Sequence, residues 1–149
     1  MKVSEVMTHK VRTVGPEATY SQILKLLIRH KISGLPVVNK KGRVIGIISE
    51  KDLFNQLFPS EEIFYKDPEY YMDFNMIEKD DKAVRKIKVK KIMSKEVISI
   101  GSDDHVLKAC SLFMKYKVRR LPVIDNGKLV GIISTNNIYK HFLARIVGV

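Results

Sequence analysis

Apolar and polar positions along the chain fall into a helical pattern followed by a hairpin pattern. Ile23, Leu26 and Leu27 lie on one face at helical spacing, and Tyr20 extends that face. The preceding Thr19-Tyr-Ser-Gln22 has the form of a capping box, which predicts where the helix begins. Two β-branched-rich runs, residues 35–38 and 44–49, then flank a glycine-containing turn and predict a hairpin. A second helix is expected at about residues 50–57, and a short strand at residues 11–14.

The same pattern occurs a second time at a nearly constant offset. The offset is 86 residues as far as Asn39 and Asp125, and it becomes 85 after one residue is dropped in the turn. The matched stretches are Val3–Met7 with Val89–Met93, Val11–Val14 with Val97–Ile100, Leu35–Val38 with Leu121–Ile124, and Gly46–Ser49 with Gly131–Ser134. The second hairpin turn is Asn126-Gly127, a strong hairpin signal because both residues tolerate positive φ. The chain is therefore two copies of a β-α-β-β-α unit.

A single β-α-β-β-α unit cannot bury all of its apolar surface, so we expect the two copies to pack about a pseudo-twofold axis. The predicted fold class is mixed α/β (α+β). The predicted boundaries are repeat 1 at residues 1–57, an acidic and aromatic linker at 58–88, and repeat 2 with a C-terminal helix at 89–149.

Composition narrows the possible functions. The chain carries 27 Lys and Arg against 16 Asp and Glu, a net charge of +11, yet residues 59–81 alone carry −6. The basic remainder suits anionic partners such as phosphorylated small molecules or nucleic acid, or it serves solubility. No apolar run is long enough to span a membrane, and the first ten residues lack the apolar core of a signal peptide. With the single Cys110 and no disulfide framework, we expect a cytoplasmic protein.

Taken together, the matched elements resemble a CBS (cystathionine-β-synthase) domain, and their duplication resembles the CBS pair known as a Bateman module. The resemblance covers about 110 of the 149 residues. It implies a homodimeric regulatory module with ligand clefts between the repeats. It also implies an adenosyl ligand: AMP, ADP, ATP or S-adenosylmethionine.

The family motif Gly-h-h-Ser/Thr-x-x-Asp, where h is an apolar residue, stands in the first repeat as Gly46 to Asp52. An aspartate in the first turn of a helix can accept hydrogen bonds from a ribose diol, and Ser49 with the free backbone N–H groups can receive phosphate. In the second repeat, Ser134 is followed by Asn137 in place of the aspartate. A neutral amide accepts more weakly than a carboxylate, so the ribose contact there is in doubt.

By the family pattern, each cleft takes residues from both repeats. The primary cleft would combine Ser49 and Asp52 with Ser99, Ile100, Val118, Arg119 and Arg120. The secondary cleft would combine Ser134 and Asn137 with Thr13, Val14, Ile32, Ser33 and Gly34. Guanidinium groups suit phosphate oxygens, so we expect one good site and one weak or empty site.

Each of these side chains also has a structural interpretation. Asp52 suits the positive end of a helix dipole, Ser49 and Ser134 suit helix caps, and Arg119 and Arg120 suit a solvated surface. Catalytic patterns are absent from the sequence: the four histidines are scattered and no nucleophile elbow or P-loop occurs. We therefore expect neither an enzyme nor a metal site.

The linker mixes acidic residues with six aromatic ones, so we expect it to fold in part, as a helix or flap, or to dock another protein. The predicted function is a nucleotide-binding regulatory module without a membrane segment, which signals to a separate effector protein by a conformational shift. The alternative is a basic scaffold or nucleic-acid-binding module with vestigial clefts.

Overall fold

The computed structural model describes residues 1–58, 61–69 and 82–149, with backbone alone for residues 63 and 64. It is a mixed α+β fold with two two-stranded sheets. The first repeat contains α1 (Tyr20–His30), β1 (Gly34–Val38), β2 (Val44–Ser49) and α2 (Glu50–Leu57). The linker contains α3 (Glu61–Lys66), and the second repeat contains α4 (Val89–Ile92), α5 (Val106–Tyr116), β3 (Arg120–Asp125) and β4 (Lys128–Ser134). A one-turn 3-10 helix, Val3–Glu5, precedes them, and three successive helical segments, Thr135–Asn137, Ile138–Leu143 and Ala144–Val147, end the chain.

The predicted start and buried face of α1 are confirmed. The Thr19 backbone N–H donates to Gln22 Oε1 at 2.9 Å, and the Gln22 backbone N–H donates to Thr19 Oγ1 at 3.3 Å. These reciprocal bonds satisfy two backbone donors that the first helical turn leaves free. Tyr20, Ile23 and Leu27 are buried, and Leu26 is partly buried against them. The helix begins at its cap and buries the stripe that its apolar spacing predicts.

The hairpin of the second repeat is confirmed, and its turn explains its register. β3 and β4 are antiparallel, with Leu121 opposite Ile133 and Asp125 opposite Lys128. Asn126 and Gly127 have φ of 51° and 77°. Positive φ at both central residues matches the right-handed twist of the two strands, so the two-residue turn closes without splaying them.

The strand expected at residues 11–14 is reduced to one parallel bridge, between Val14 and Val37. The Val14 N–H donates to the Pro36 carbonyl at 3.2 Å, and the Val38 N–H donates to the Val14 carbonyl at 2.8 Å. The next bond of a parallel ladder would come from the N–H of residue 36, which proline lacks. Ile100 makes the same single bridge beside Pro122 for the same reason.

The chain forms two compact units whose boundaries do not coincide with those of the two sequence repeats. Unit 1 comprises Met1–Arg12, Lys41–Val44 and Glu96–Val149, and unit 2 comprises Thr13–Lys40 and Ile45–Lys95. The opening segment of each repeat therefore packs with the other repeat. Val3 is fully buried in the core of unit 1, and its counterpart Val89 is fully buried in the core of unit 2.

Each exchanged segment is fixed by equivalent contacts. In unit 1 the Val3 N–H donates to the Asp104 carbonyl at 2.8 Å, and Thr8 forms a bridge with Ile132. In unit 2 the Val89 N–H donates to the Ala18 carbonyl at 2.7 Å, and Ser94 forms a bridge with Ile47. A methionine of each segment lies against a strand glycine, Met7 on Gly131 and Met93 on Gly46. A Cβ at either glycine would collide with the methionine sulfur, so the methionine side chain would have to shift.

The linker is partly helical, as expected, with α3 in its described portion. Its last residues pack onto unit 2: Val84 and Ile87 contact the core, and the Ile87 carbonyl accepts the Tyr20 N–H at 2.7 Å. Tyr70, Tyr71 and Phe74, which carried much of the aromatic argument, lie outside the described residues. None of the helices in the described ranges is both long and apolar enough to cross a membrane.

Candidate functional site

Ser49 and Asp52 form a fixed arrangement where β2 ends and α2 begins. Asp52 Oδ2 accepts the Ser49 backbone N–H at 2.8 Å and the Ser49 hydroxyl at 3.0 Å. Both residues are half-buried. These two hydrogen bonds hold Oδ2 in place and so restrict the orientation of the carboxylate.

This arrangement divides the roles of the two residues. The single hydroxyl proton of Ser49 is donated to Asp52, so it cannot simultaneously be donated to a phosphate. Asp52 Oδ1 accepts no hydrogen bond from any described residue. An oriented carboxylate oxygen of this kind can accept the hydroxyl protons of a ribose diol as charge-assisted hydrogen bonds. Asp52 therefore caps the helix through Oδ2, while Oδ1 makes no hydrogen bond within the described part of the chain.

In the second repeat, Asn137 is engaged at both ends of its amide. Its Oδ1 accepts the Ser134 backbone N–H at 2.8 Å and the Ser134 hydroxyl at 2.7 Å, which fixes the orientation of the amide. Its Nδ2 donates to Thr8 Oγ1 at 3.4 Å, and its backbone N–H donates to Ser134 Oγ at 3.2 Å. Oδ1, the acceptor that a ribose hydroxyl would need, thus already accepts two hydrogen bonds, and the amide carries no charge.

The loop before each Leu-Pro-Val strand contacts the start of the helix that follows the hairpin of the same unit. The Ser33 carbonyl accepts the Glu50 N–H in unit 2, and the Arg119 carbonyl accepts the Thr135 N–H in unit 1, both at 3.0 Å. The first backbone donor of each helix is therefore occupied. Arg119 is exposed and Arg120 is half-buried.

The remaining predicted contacts separate into accessible and buried residues. Val14 and Ile100 are buried in the cores, and Gly34 is buried as well. The neighbouring hydroxyls of Thr13 and Ser99 are exposed. A ligand beside these segments can reach the two hydroxyls, whereas at Val14 and Ile100 it meets only backbone already bonded to the Pro36 and Pro122 strands. Ile32 and Val118 are half-buried and pack against the cores of their units.

The loop that follows Ser99 and Ile100 is held in place by two carboxylates. Asp104 Oδ2 accepts the Gly101 N–H at 2.9 Å, and Asp125 Oδ1 accepts the Ser102 N–H at 3.0 Å. The hydrogen bond from Lys108, aided by that of Gly101, lowers the pKa of Asp104. Hydrogen bonds from the side chain and backbone of Ser102 lower the pKa of Asp125. Both carboxylates are thus ionised near neutral pH and fix the loop.

The predicted site residues are distributed over both units. Unit 2 contains Ser49, Asp52, Thr13, Val14, Ile32, Ser33 and Gly34, and unit 1 contains Ser134, Asn137, Ser99, Ile100, Val118, Arg119 and Arg120. Within each unit the structure brings a pre-strand loop to a helix start. The grouping into a primary and a secondary cleft stays a prediction from the family resemblance.

Thr8 is a residue of this region that the sequence analysis missed. Its hydroxyl reaches Asn137, and its backbone is paired with Ile132. A signal was present in the repeat, because Met7-Thr8 corresponds to Met93-Ser94 and both positions after the methionine carry a hydroxyl. Its significance depended on the exchange of segments, which a repeat pattern alone does not reveal.

Metal and thiol chemistry find no support in the described ranges. Those residues contain no group of three or more His, Cys, Asp or Glu side chains that could hold a metal ion. Cys110 is half-buried, and burial raises the pKa of its thiol. A raised pKa keeps the thiol protonated and weakly nucleophilic.

Comparison with known proteins agrees with the duplication. The family model of the CBS domain matches residues 3–58 and again residues 89–144. An uncharacterised protein of Methanocaldococcus jannaschii is 32% identical over 150 residues, covering 93% of this chain and 89% of its own length. The chloroplastic CBS domain-containing protein CBSX1 of Arabidopsis thaliana is 29% identical over 153 residues, covering 93% of this chain. The chain spans only 62% of the length of CBSX1.

Among solved structures, CBSX2 of Arabidopsis thaliana in complex with AMP is similar over nearly the whole chain. The TM-score is 0.74 at 25% sequence identity, and the alignment covers 97% of this chain and 98% of the other. The arrangement of helices and hairpins described above is therefore shared with a protein whose structure contains AMP.

Proposed function

Because the chain belongs to the CBS-domain family, with a match to each repeat, we propose that it is a regulatory module that binds an adenine nucleotide. AMP is the first ligand to test, because the similar CBSX2 structure contains it. ADP, ATP and S-adenosylmethionine share its adenosyl group and belong in the same screen. Binding, rather than catalysis, is the proposed activity.

One observation carries the proposal: Asp52 is held by Ser49 through Oδ2 alone and keeps Oδ1 available, whereas Asn137 uses both ends of its amide. The first repeat thus offers an oriented anion to a ribose diol, and the second offers a neutral group already bonded. We infer that each chain has one principal nucleotide site, built on Asp52.

The phosphate contacts of the same ligand are proposed on the family pattern. Arg119 and Arg120 are the candidate phosphate ligands of that site, and the exposed hydroxyl of Ser99 is a candidate donor. A guanidinium fork can bind two phosphate oxygens at once. Since Ser49 gives its proton to Asp52, we assign it the role of orienting the carboxylate rather than binding phosphate.

The proposed output is a shift in the population of conformations that an effector protein reads. A coupling of about 1–3 kcal/mol between ligand and effector is typical of such systems. Each unit also exposes apolar side chains at equivalent positions of the two repeats: Ile28, Phe54 and Phe58 in unit 2, and Met114, Tyr139 and Leu143 in unit 1. Such surfaces suit a homodimer, which we propose as the working assembly, in a reducing compartment such as the cytoplasm.

The test is calorimetric titration with AMP of the wild type and of Asp52→Asn. We expect Asp52→Asn to weaken binding about thirty-fold, because a charge-assisted hydrogen bond is worth about 2 kcal/mol. Glu50→Gln removes the same charge two residues earlier on the same helix, where the side chain is exposed, and should leave affinity unchanged. Equal losses in both variants, or no binding of any adenosyl compound in the screen, would contradict the proposal.

A further inference from the structure

Six exposed lysines, here called the basic ridge, lie within residues 82–95, where the linker meets the second repeat. The ridge is defined as Lys82, Lys86, Lys88, Lys90, Lys91 and Lys95. Residues 82–95 include no acidic residue. This is a local feature, because the segment immediately before it, residues 59–81, carries −6.

The backbone of the ridge is fixed to unit 2. The Val89 N–H donates to the Ala18 carbonyl at 2.7 Å, and Ser94 exchanges hydrogen bonds of 2.9 and 3.0 Å with Ile47. The apolar residues between the lysines face inward: Val89 is fully buried, and Val84, Ile87 and Ile92 pack against the same core. The lysines are therefore directed outward on a folded surface instead of lying on a free tail.

A single carboxylate partners the ridge in the described part of the chain. Glu17 accepts from Lys88 and, at 2.6 Å, from Lys90. Hydrogen bonds from Lys88 and then Lys90 lower the pKa of Glu17 to about 2. Lys82, Lys86, Lys91 and Lys95 make no ion pair with any described residue, so the ridge keeps a large net positive charge.

We propose that the basic ridge binds the phosphate backbone of a double-stranded nucleic acid. A duplex carries one negative charge per about 1.7 Å of axis, and lysines that neutralise its phosphates gain free energy by releasing condensed counterions. The described ridge residues include no aromatic side chain on which unpaired bases could stack, which favours a duplex over a single strand. Lysines that contact phosphates give no sequence specificity, so we expect binding without base preference.

A lipid surface fits the ridge less well. Amphipathic segments that lie on membranes insert an apolar face beside their basic one. Here the apolar residues of the segment are committed to the core, with Val89 fully buried. The ridge thus offers charge alone, and among polyanions the duplex offers the densest line of charge.

The experiment measures binding of a short random-sequence duplex, as DNA and as RNA, over a series of salt concentrations. The ridge variant changes the four lysines without a described partner, K82Q, K86Q, K91Q and K95Q. The control variant removes the same charge at four exposed lysines elsewhere, K10Q, K40Q, K128Q and K140Q. Vesicles rich in phosphatidylserine and polyglutamate serve as competing polyanions.

We expect the ridge variant to lose at least about thirty-fold in duplex affinity at about 0.1 M salt, with the salt slope reduced by about 3 to 4. The control variant should retain most of the affinity. Asp52→Asn should bind duplex like the wild type, which separates this proposal from nucleotide binding. Equal losses in both lysine variants, absence of duplex binding by the wild type, or ridge-dependent binding that is tighter for vesicles or polyglutamate would overturn it.

Discussion

Unit 1 and unit 2 share one construction and differ in the residue that would meet a ligand. Each has an exchanged opening segment with a buried valine, a methionine on a strand glycine, and a serine that begins the helix after the hairpin. At the third position of that helix, unit 2 has Asp52 and unit 1 has Asn137. In both units one side-chain oxygen of this residue accepts hydrogen bonds from the serine. The units therefore differ in the other polar atom, which is Oδ1 in Asp52 and Nδ2 in Asn137. The two copies therefore keep the same fold but differ in the charge and the hydrogen bonding of this one residue.

The cores of the two units use different residues at equivalent buried positions. Ile23 and Leu27 on α1 correspond to Ala109 and Phe113 on α5, and all four are buried. The larger Phe113 only partly offsets the smaller Ala109, so different combinations of side chains fill the two cores.

The largest expected effect tests the exchange of segments. Val3→Ala and Val89→Ala each remove two methyl groups from a fully buried site, at a cost of about 2–3 kcal/mol. Because Val3 lies in the core of unit 1, hydrogen exchange should accelerate in the second repeat, around Val123 and Ile133. Val89→Ala should instead accelerate exchange in the first repeat. Acceleration confined to the repeat that contains each substitution in sequence would refute the exchange.

A smaller effect is expected at the two methionine contacts. In Gly46→Ala the new Cβ would meet the Met93 side chain and also the Ser94 carbonyl at 3.0 Å, whereas in Gly131→Ala its three nearest atoms all belong to the Met7 side chain, with Sδ at 2.5 Å. Overpacking of this kind costs about 1–3 kcal/mol, and the rigid carbonyl should make Gly46→Ala the worse of the two. Urea denaturation measures both. Gly15→Ala is the control, since its Cβ meets nothing within 4 Å; a similar loss there would show a backbone effect instead.

The smallest effect concerns Glu17, whose pKa is lowered to about 2 from 4.5 by Lys88 and Lys90. A lowered pKa in the folded state means that the carboxylate favours folding above pH 4.5 and that this contribution disappears as pH falls from 4.5 through about 2. Glu17→Gln should therefore lower Tm slightly near neutral pH and not at all near the acid end. The side chain is exposed, so high salt should also remove the difference. A Tm difference that grows on acidification would contradict this.

Much of the fold could be predicted from the sequence because its signals are local. The capping box at Thr19, the buried stripe from Tyr20 to Leu27 and the Asn126-Gly127 turn each depend on residues within one or two turns. The strand at residues 11–14 was overestimated because its pairing depended on a proline in a distant segment. The exchange of segments was missed because the two opening segments have the same apolar pattern, which fits the core of either repeat.

The candidate site was predictable in residue identity but not in its state of bonding. The sequence distinguished Asp52 from Asn137 as a charged and a neutral residue. It did not show that the Ser49 hydroxyl donates its hydrogen bond to Asp52, or that Asn137 donates one to Thr8. Those bonds depend on rotamers and on contacts between distant parts of the chain, and they decide which atoms a ligand can use.

The number of AMP molecules bound per chain tests the central comparison most directly. Calorimetric titration of the wild type should give one principal site per chain, and that site should be lost in Asp52→Asn but retained in Asn137→Ala. Two sites of equal affinity in the wild type, or a principal site that survives Asp52→Asn and disappears in Asn137→Ala, would contradict the account.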